Sequence, residues 1–164
     1  LLYLSTGCDA EQTAKLMNQL GTEGHYTVTP EMKAKMADFC GGFATEAEDA
    51  AAIRELYDET GYVIDTHTGV ASAVYQRYKK NTGDETKTVI ASTASPYKFS
   101  RSVMEAISDE KLPEDEFAVI DELSRVSGAE IPKAVEEIRN AQIRHNLECD
   151  VQDMKKTVAK ILGI

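Results

Sequence analysis

GYVIDTHTGVASAVYQRYKKNTG, residues 61–83, is the stretch on which the fold class turns. Tyr62-Val-Ile-Asp65 is an apolar run closed by Gly61 on one side and a polar Thr-His-Thr cluster on the other, the pattern of a short buried strand. Beyond His67 the rhythm changes: Val70, Val74 and Tyr78 fall in line at helical spacing, Lys79-Lys80 sit at the negative C-terminal end, and Asn81-Thr82-Gly83 breaks the helix. The same switch recurs on both sides. Downstream, Thr88-Val-Ile-Ala-Ser92 reads as a strand, and a helix from Pro96 to Ile107 carries Phe99, Val103 and Ile107 on one face. Upstream, the apolar piece Gly42-Phe-Ala44 meets Thr45-Glu-Ala-Glu48, a capping box that opens a helix bearing Ile53, Leu56 and Tyr57. Three alternations of short strand and helix predict an α/β core, a short and largely parallel sheet flanked by helices with right-handed crossovers.

The flanks read as helical. Asp9 and Gln12 mark a helix start, with Ala10, Ala14, Met17 and Leu20 on one face as far as Gly21. Thr29-Pro30 opens a second, with Met32, Met36 and Phe39 on one side before Gly41-Gly42. After Asp109 come Phe117, Ile120 and Leu123 before Gly128, then Val135 and Ile138 after Pro132. The extended piece AQIRHNL, residues 141–147, precedes a last helix with Val151, Met154, Val158 and Ile161, and Gly163 follows. The acidic run DEKLPEDE, residues 109–116, reads as a solvated connection, and nothing marks a repeat or a linker, so residues 1–164 are expected to form a single domain.

A chain of 164 residues with 42% hydrophobic content can bury one core. Its 28 acidic and 18 basic residues give a net charge of -10, which disfavours nucleic acid and anionic membrane as partners, since both reward clustered Lys and Arg. Cys8, Cys40 and Cys149 are far apart and have no zinc-ligand spacing, so they are expected to be reduced, buried thiols with no metal site. With no apolar run near ~18 residues and no signal peptide, a cytoplasmic location is expected. The first residue is Leu1 within an apolar run, which suggests a piece of a longer polypeptide.

In open α/β sheets ligands gather at the carboxyl ends of strands, where helix N-termini present free N–H groups. Asp65-Thr-His-Thr-Gly69 occupies such a position, as does Val89-Ile-Ala-Ser-Thr-Ala-Ser-Pro-Tyr-Lys-Phe-Ser100. Read by themselves, both fit ordinary helix capping as well as they fit a binding site.

The second stretch also carries a likeness. STASPYKF, residues 92–99, resembles the Thr-Ala-x-Pro-x-Lys-Phe segment of threonine synthases. TGYVIDTHTGVASAVYQRYKK, residues 60–80, is similar to that family's small strand, (Asp or Glu)-x-His pair and Ala-rich helix. HNLECDVQDMKK, residues 145–156, resembles its His-Asn-Leu lead into a final helix, and Leu1-Leu-Tyr3 looks like the segment after its Ser-Asn-(Phe or Leu)-Glu-Arg element. The likeness runs through nearly the whole chain in one order.

What the resemblance implies is the C-terminal portion of a tryptophan-synthase-like (fold type II) pyridoxal phosphate enzyme, a lyase of threonine biosynthesis that converts O-phospho-L-homoserine and water to L-threonine and phosphate. The family's Schiff-base lysine, in a Phe-Lys-Asp context, and its glycine-rich phosphate loop belong to an N-terminal part that would be this chain's partner; neither occurs here. Lys98 stands in Tyr-Lys-Phe and does not match that lysine. No catalytic residue is therefore assigned in this chain, which alone is expected to be inactive. By resemblance Thr93 faces the cofactor's pyridine nitrogen, with Ser92 as the alternative, and Ser95-Pro96 starts the next helix. Asp65 and His67 line the substrate side or else cap and brace the helix; Lys98 meets a phosphate or is solvated. His145 and Asn146 match a family feature without an assigned role. Two other readings stay open: a non-catalytic α/β ligand-binding module, and an interaction segment that docks through the acidic helices after Asp109.

Overall fold

Capping residues set most helix boundaries in the computed structural model, which describes residues 1–164. Leu1–Ala44 and Thr45–Ile164 form two compact units.

In the first unit, α1 (Leu2–Ser5) is a single turn. Asp9 caps α2 (Ala10–Glu23), its Oδ1 accepting the Gln12 N–H at 2.9 Å. The helix runs past Gly21 and stops at Gly24, whose φ of 76° is left-handed and whose N–H closes on Leu20 O. A glycine inside a helix costs only about 1 kcal/mol, which the continuing turns absorb. Thr29 caps α3 (Pro30–Ala34), with Pro30 at its start. α3 is shorter than its spacing predicts. The N–H groups of Met36, Ala37 and Phe39 reach back only three residues, so the chain tightens out of α geometry; Met32 is buried whereas Phe39 lies 63% exposed.

The second unit opens with α4 (Glu46–Thr60) behind a capping box. The Glu48 N–H donates to Thr45 Oγ1 at 3.3 Å, and the Thr45 N–H donates to Glu48 Oε2 at 2.7 Å. That N–H holds the Glu48 carboxyl below its ordinary value. Gly61, left-handed at φ 71°, ends α4, and Asp65 caps α5 (Thr66–Thr82). A 3₁₀ turn at Pro96–Phe99 leads into α6 (Ser100–Ile107), followed by α7 (Glu116–Ser127), α8 (Lys133–Arg139), a second 3₁₀ turn at Val151–Asp153, and α9 (Met154–Leu162).

The core lies where α4 packs on α5 and α6, and α6 on α7. It comprises Ile53, Val63, Ile64, Tyr97, Val103, Met104, Ile107, Val119, Ile120 and Leu123. The spacing of Val103, Met104 and Ile107 on α6, and of Val119, Ile120 and Leu123 on α7, aims two helical stripes at each other. α8 is tied to α7 by Arg139, which donates from Nη2 to Asp121 Oδ1 at 2.6 Å and lies over the Phe117 ring.

The expected parallel sheet is absent: no residue of the chain is in a strand, and the fold is helical throughout rather than α/β. The apolar runs do stay extended. Tyr62–Asp65 buries Val63 and Ile64 between helices through side chains alone, with no backbone ladder. Residues 88–92 leave Val89 94% exposed, and 141–147 leave every residue exposed. A run of four or five apolar residues specifies burial, and only hydrogen bonds to a neighbouring strand convert it into sheet. Phe99 also departs from its predicted face, because the chain between Pro96 and Phe99 winds as a 3₁₀ turn. Tyr97 takes the inward position instead and donates its hydroxyl to Ala129 O at 2.6 Å.

Gly69 marks the closest approach of α5 to α4. A Cβ there would collide with Asp49 Oδ1 and stand 2.8 Å from Ile53 Cγ1. The carboxylate tip can swing away, but Ile53 is 1% exposed and cannot. Gly69→Ala gains about 1 kcal/mol of helix propensity and loses about 1–3 kcal/mol to overpacking. A fall in Tm of a few degrees is expected in thermal melts, where helix propensity acting alone would raise it.

Candidate functional site

Asp65 ends the extended run 62–65, follows the buried Val63 and Ile64, and has no exposed surface of its own. Its Oδ1 accepts the N–H groups of His67 at 2.9 Å and Thr68 at 3.3 Å, and its Oδ2 accepts the Thr68 hydroxyl at 2.5 Å. A buried carboxylate needs such donors, since an unpaired one would be far too costly to desolvate. Thr68 Oγ1 also lies 3.2 Å from Ser92 Oγ, which ties the extended segment 88–95 to the start of α5. Thr93, next in the chain, is exposed. Ser95 then accepts the Tyr97 N–H at 3.3 Å and caps the 3₁₀ turn with Pro96 at its first position, the start that the sequence predicts.

Phe99 organises the outer part. His67 stacks on its ring with centroids 5.3 Å apart and planes at 15°, and Lys98 Nζ lies 5.3 Å from the same centroid, within cation–π range. His67 Nδ1 is 3.7 Å from Asp65 Oδ1, too far for a hydrogen bond. Arg101, the nearest other cation in sequence, is committed to Glu116 at 2.7 Å and to the carbonyls of Pro113 and Glu114.

Behind this rim, Glu46, Asp49, Thr66, Ser102 and Glu105 line a cleft. Asp49 Oδ1 is buried without a hydrogen-bond partner. Burial pushes its carboxyl up from the ordinary value, the charge of Asp65 adds to that push, and His67 opposes it.

Of the residues singled out by sequence, the structure joins Asp65 to Ser92 through Thr68, and His67 to Lys98 through Phe99, with Thr93 alongside. Thr68, Phe99 and Asp49 escape sequence reasoning. A hydroxyl three residues after a cap is a weak cue for Thr68, and a glycine inside a helical pattern signals the close approach that Asp49 makes. The cysteines are free, as expected, but exposed rather than buried, each lying outside the helices. His145 and Asn146 are exposed on an extended segment, and His25 is exposed with Nδ1 3.1 Å from Glu23 O. No helix is long and apolar enough to cross a membrane.

Residues 68–148 match the family model described as threonine synthase, C-terminal. The chain is 31% identical over 114 residues to threonine synthase-like 1 of Homo sapiens, covering 69% of this chain and 15% of that protein. It is 35% identical over 101 residues to threonine synthase of Schizosaccharomyces pombe, covering 60% of this chain and 20% of that protein. The chain thus spans a minor part of the length of these relatives. Among solved structures, a PLP-bound threonine synthase from Brucella melitensis superposes with a TM-score of 0.55 at 24% identity, over 78% of this chain and 31% of the other.

The position of Asp49 has a thermodynamic consequence. A carboxyl whose pKa is higher in the folded chain than in the unfolded one favours folding most when protonated, below the unfolded value, and that contribution is lost as pH rises through the folded value. At neutral pH its charge is therefore a cost. Asp49→Asn is expected to raise Tm at pH 7 by about 1–3 °C, a modest gain because part of the side chain meets solvent. The gain should vanish at pH 3, where wild type is protonated too; melts at the two pH values check it.

Proposed function

We propose, for a chain that belongs to the threonine synthase family through its C-terminal domain at residues 68–148, that it forms one wall of a pyridoxal phosphate site in a complete enzyme. The reaction is the conversion of O-phospho-L-homoserine and water to L-threonine and phosphate. The observation that carries this reading is the hydroxyl cluster at 92–93, held against the α5 cap by Thr68 and lying inside the matched segment.

The donor set suits the cofactor. When bound, pyridoxal phosphate takes up the electron pair left as a proton is removed from the substrate, and the group facing its pyridine nitrogen tunes that uptake. A threonine hydroxyl is a neutral donor, so it serves an unprotonated ring nitrogen, whereas a carboxylate there would favour the protonated ring. Thr93 has the exposure for this role, and the Ser95 cap and the buried Tyr97 fix the backbone just after it. Lys98, held over Phe99 at the rim, offers an ammonium to a substrate or product phosphate. Next to it His67 presents an imidazole towards solvent, while Asp65 braces the wall from behind.

This chain supplies neither the Schiff-base lysine nor the phosphate loop. Both come from the N-terminal part of the same enzyme. The isolated chain is accordingly expected to release no phosphate from O-phosphohomoserine with pyridoxal phosphate present, whereas the complete enzyme does so in the same phosphate-release assay.

Thr93→Val keeps the shape of the side chain and removes its hydroxyl. In the complete enzyme it should shift the cofactor's absorbance and lower turnover by about tenfold, the equivalent of one hydrogen bond at the upper end of its usual strength. An unchanged spectrum together with unchanged turnover would remove Thr93 from the site.

A further inference from the structure

The 3₁₀ turn Pro96–Phe99 is anchored in the interior through Tyr97. That side chain is buried, and its hydroxyl donates to Ala129 O at 2.6 Å, a contact between residues 32 positions apart. Ala129 follows Gly128, where a left-handed φ of 68° ends α7. Ser124, on α7, donates to the same carbonyl at 2.8 Å, so both acceptor positions of Ala129 O are filled. The two donors hold different things. Ser124 closes the end of α7 on itself, whereas Tyr97 ties the turn to that end. At the other side of the turn the buried Ser100 hydroxyl donates to Tyr97 O at 3.1 Å. Successive side chains of a 3₁₀ turn point about 120° apart, so fixing Tyr97 inwards also fixes the directions of Lys98 and Phe99. Both of these are exposed, and Lys98 Nζ lies 5.3 Å from the Phe99 centroid.

We propose that Tyr97 is a positioning residue that aims Lys98 from beneath the rim and so sets the affinity of the site for a phosphate group. In the segment Thr-Ala-x-Pro-x-Lys-Phe, Tyr97 fills the open position before the lysine, so this anchor belongs to the chain's own sequence and not to the motif. The phosphate at Lys98 rests on the proposed function; the anchor rests on the geometry of Tyr97, Ala129 and Ser124.

The test uses the complete enzyme, with inorganic phosphate titrated by calorimetry and the kinetics of O-phosphohomoserine measured beside it. Tyr97→Phe keeps the buried ring and leaves Ala129 O its bond from Ser124, so no acceptor is stranded. It should raise the phosphate Kd and the substrate KM by about two- to tenfold, the equivalent of one hydrogen bond, with kcat little changed. Ser124→Ala removes the other bond to the same carbonyl and should leave both constants as they are. In a Lys98→Ala background Tyr97→Phe should add nothing, because its effect passes through the lysine. Equal shifts from Tyr97→Phe and Ser124→Ala, or an undiminished effect of Tyr97→Phe without the lysine, mark a merely structural role and overturn the proposal. Phosphate binding weakened by Lys98→Ala but untouched by Tyr97→Phe overturns the proposal alone. An unchanged Kd in Lys98→Ala removes phosphate from Lys98, and the proposal falls with that reading.

Discussion

A single buried carboxylate constrains most of the second unit. Asp65 has no contact with water, so its oxygens must be satisfied from within, and all three donors come from the two residues His67 and Thr68. Those bonds form only if α5 begins where it does. With that start fixed, Val63 and Ile64 are drawn into the core on one side, and Gly69 is set against Asp49 and Ile53 of α4 on the other. Thr68 then reaches Ser92 and ties down a segment that has no ladder of its own. Replacing Asp65 would therefore disturb helix start, core and rim together rather than one contact.

The caps were the most legible part of the sequence. Asp9, Thr29 and Thr45 each accept the expected backbone N–H, and Gly61, Gly83 and Gly128 each end a helix in the left-handed region, because these signals act within four residues and need no distant partner. Val103 and Ile107 on α6, and Ile120 and Leu123 on α7, were readable as core residues for the same reason. The sheet was not, since strand pairing is a non-local property. Tyr62–Asp65 is as apolar and β-branched as a strand should be, and its Val63 and Ile64 are buried, yet helices rather than strands cover them. Around Pro96 a 3₁₀ turn of three residues per repeat buries Tyr97 and leaves Phe99, expected on the inward face, partly open, a rotation that α-helical spacing cannot anticipate.

The candidate site divides along the same line. Asp65, Ser92 and Ser95 could be singled out because polar residues at element junctions have a local signature. Thr68, Phe99 and Asp49 matter through contacts with residues 24, 32 and 20 positions away, to Ser92, His67 and Gly69 respectively, and no local pattern encodes those meetings. The stack of His67 on Phe99 also leaves 37% of the Phe99 surface open, which keeps an aromatic face at the rim beside the Lys98 ammonium.

α9 places its apolar residues very differently from α6. Met154, Val158, Ile161 and Leu162 are each more than half exposed, no residue of the helix is buried, and its principal contact is the 3₁₀ turn that immediately precedes it. Nine residues are too few to hold a helix in water by backbone bonds alone. In this chain α9 is therefore a separate cooperative opening unit: its amides should exchange with solvent through local fraying at a free energy close to zero, while those of α6 and α7 exchange only when the core itself unfolds.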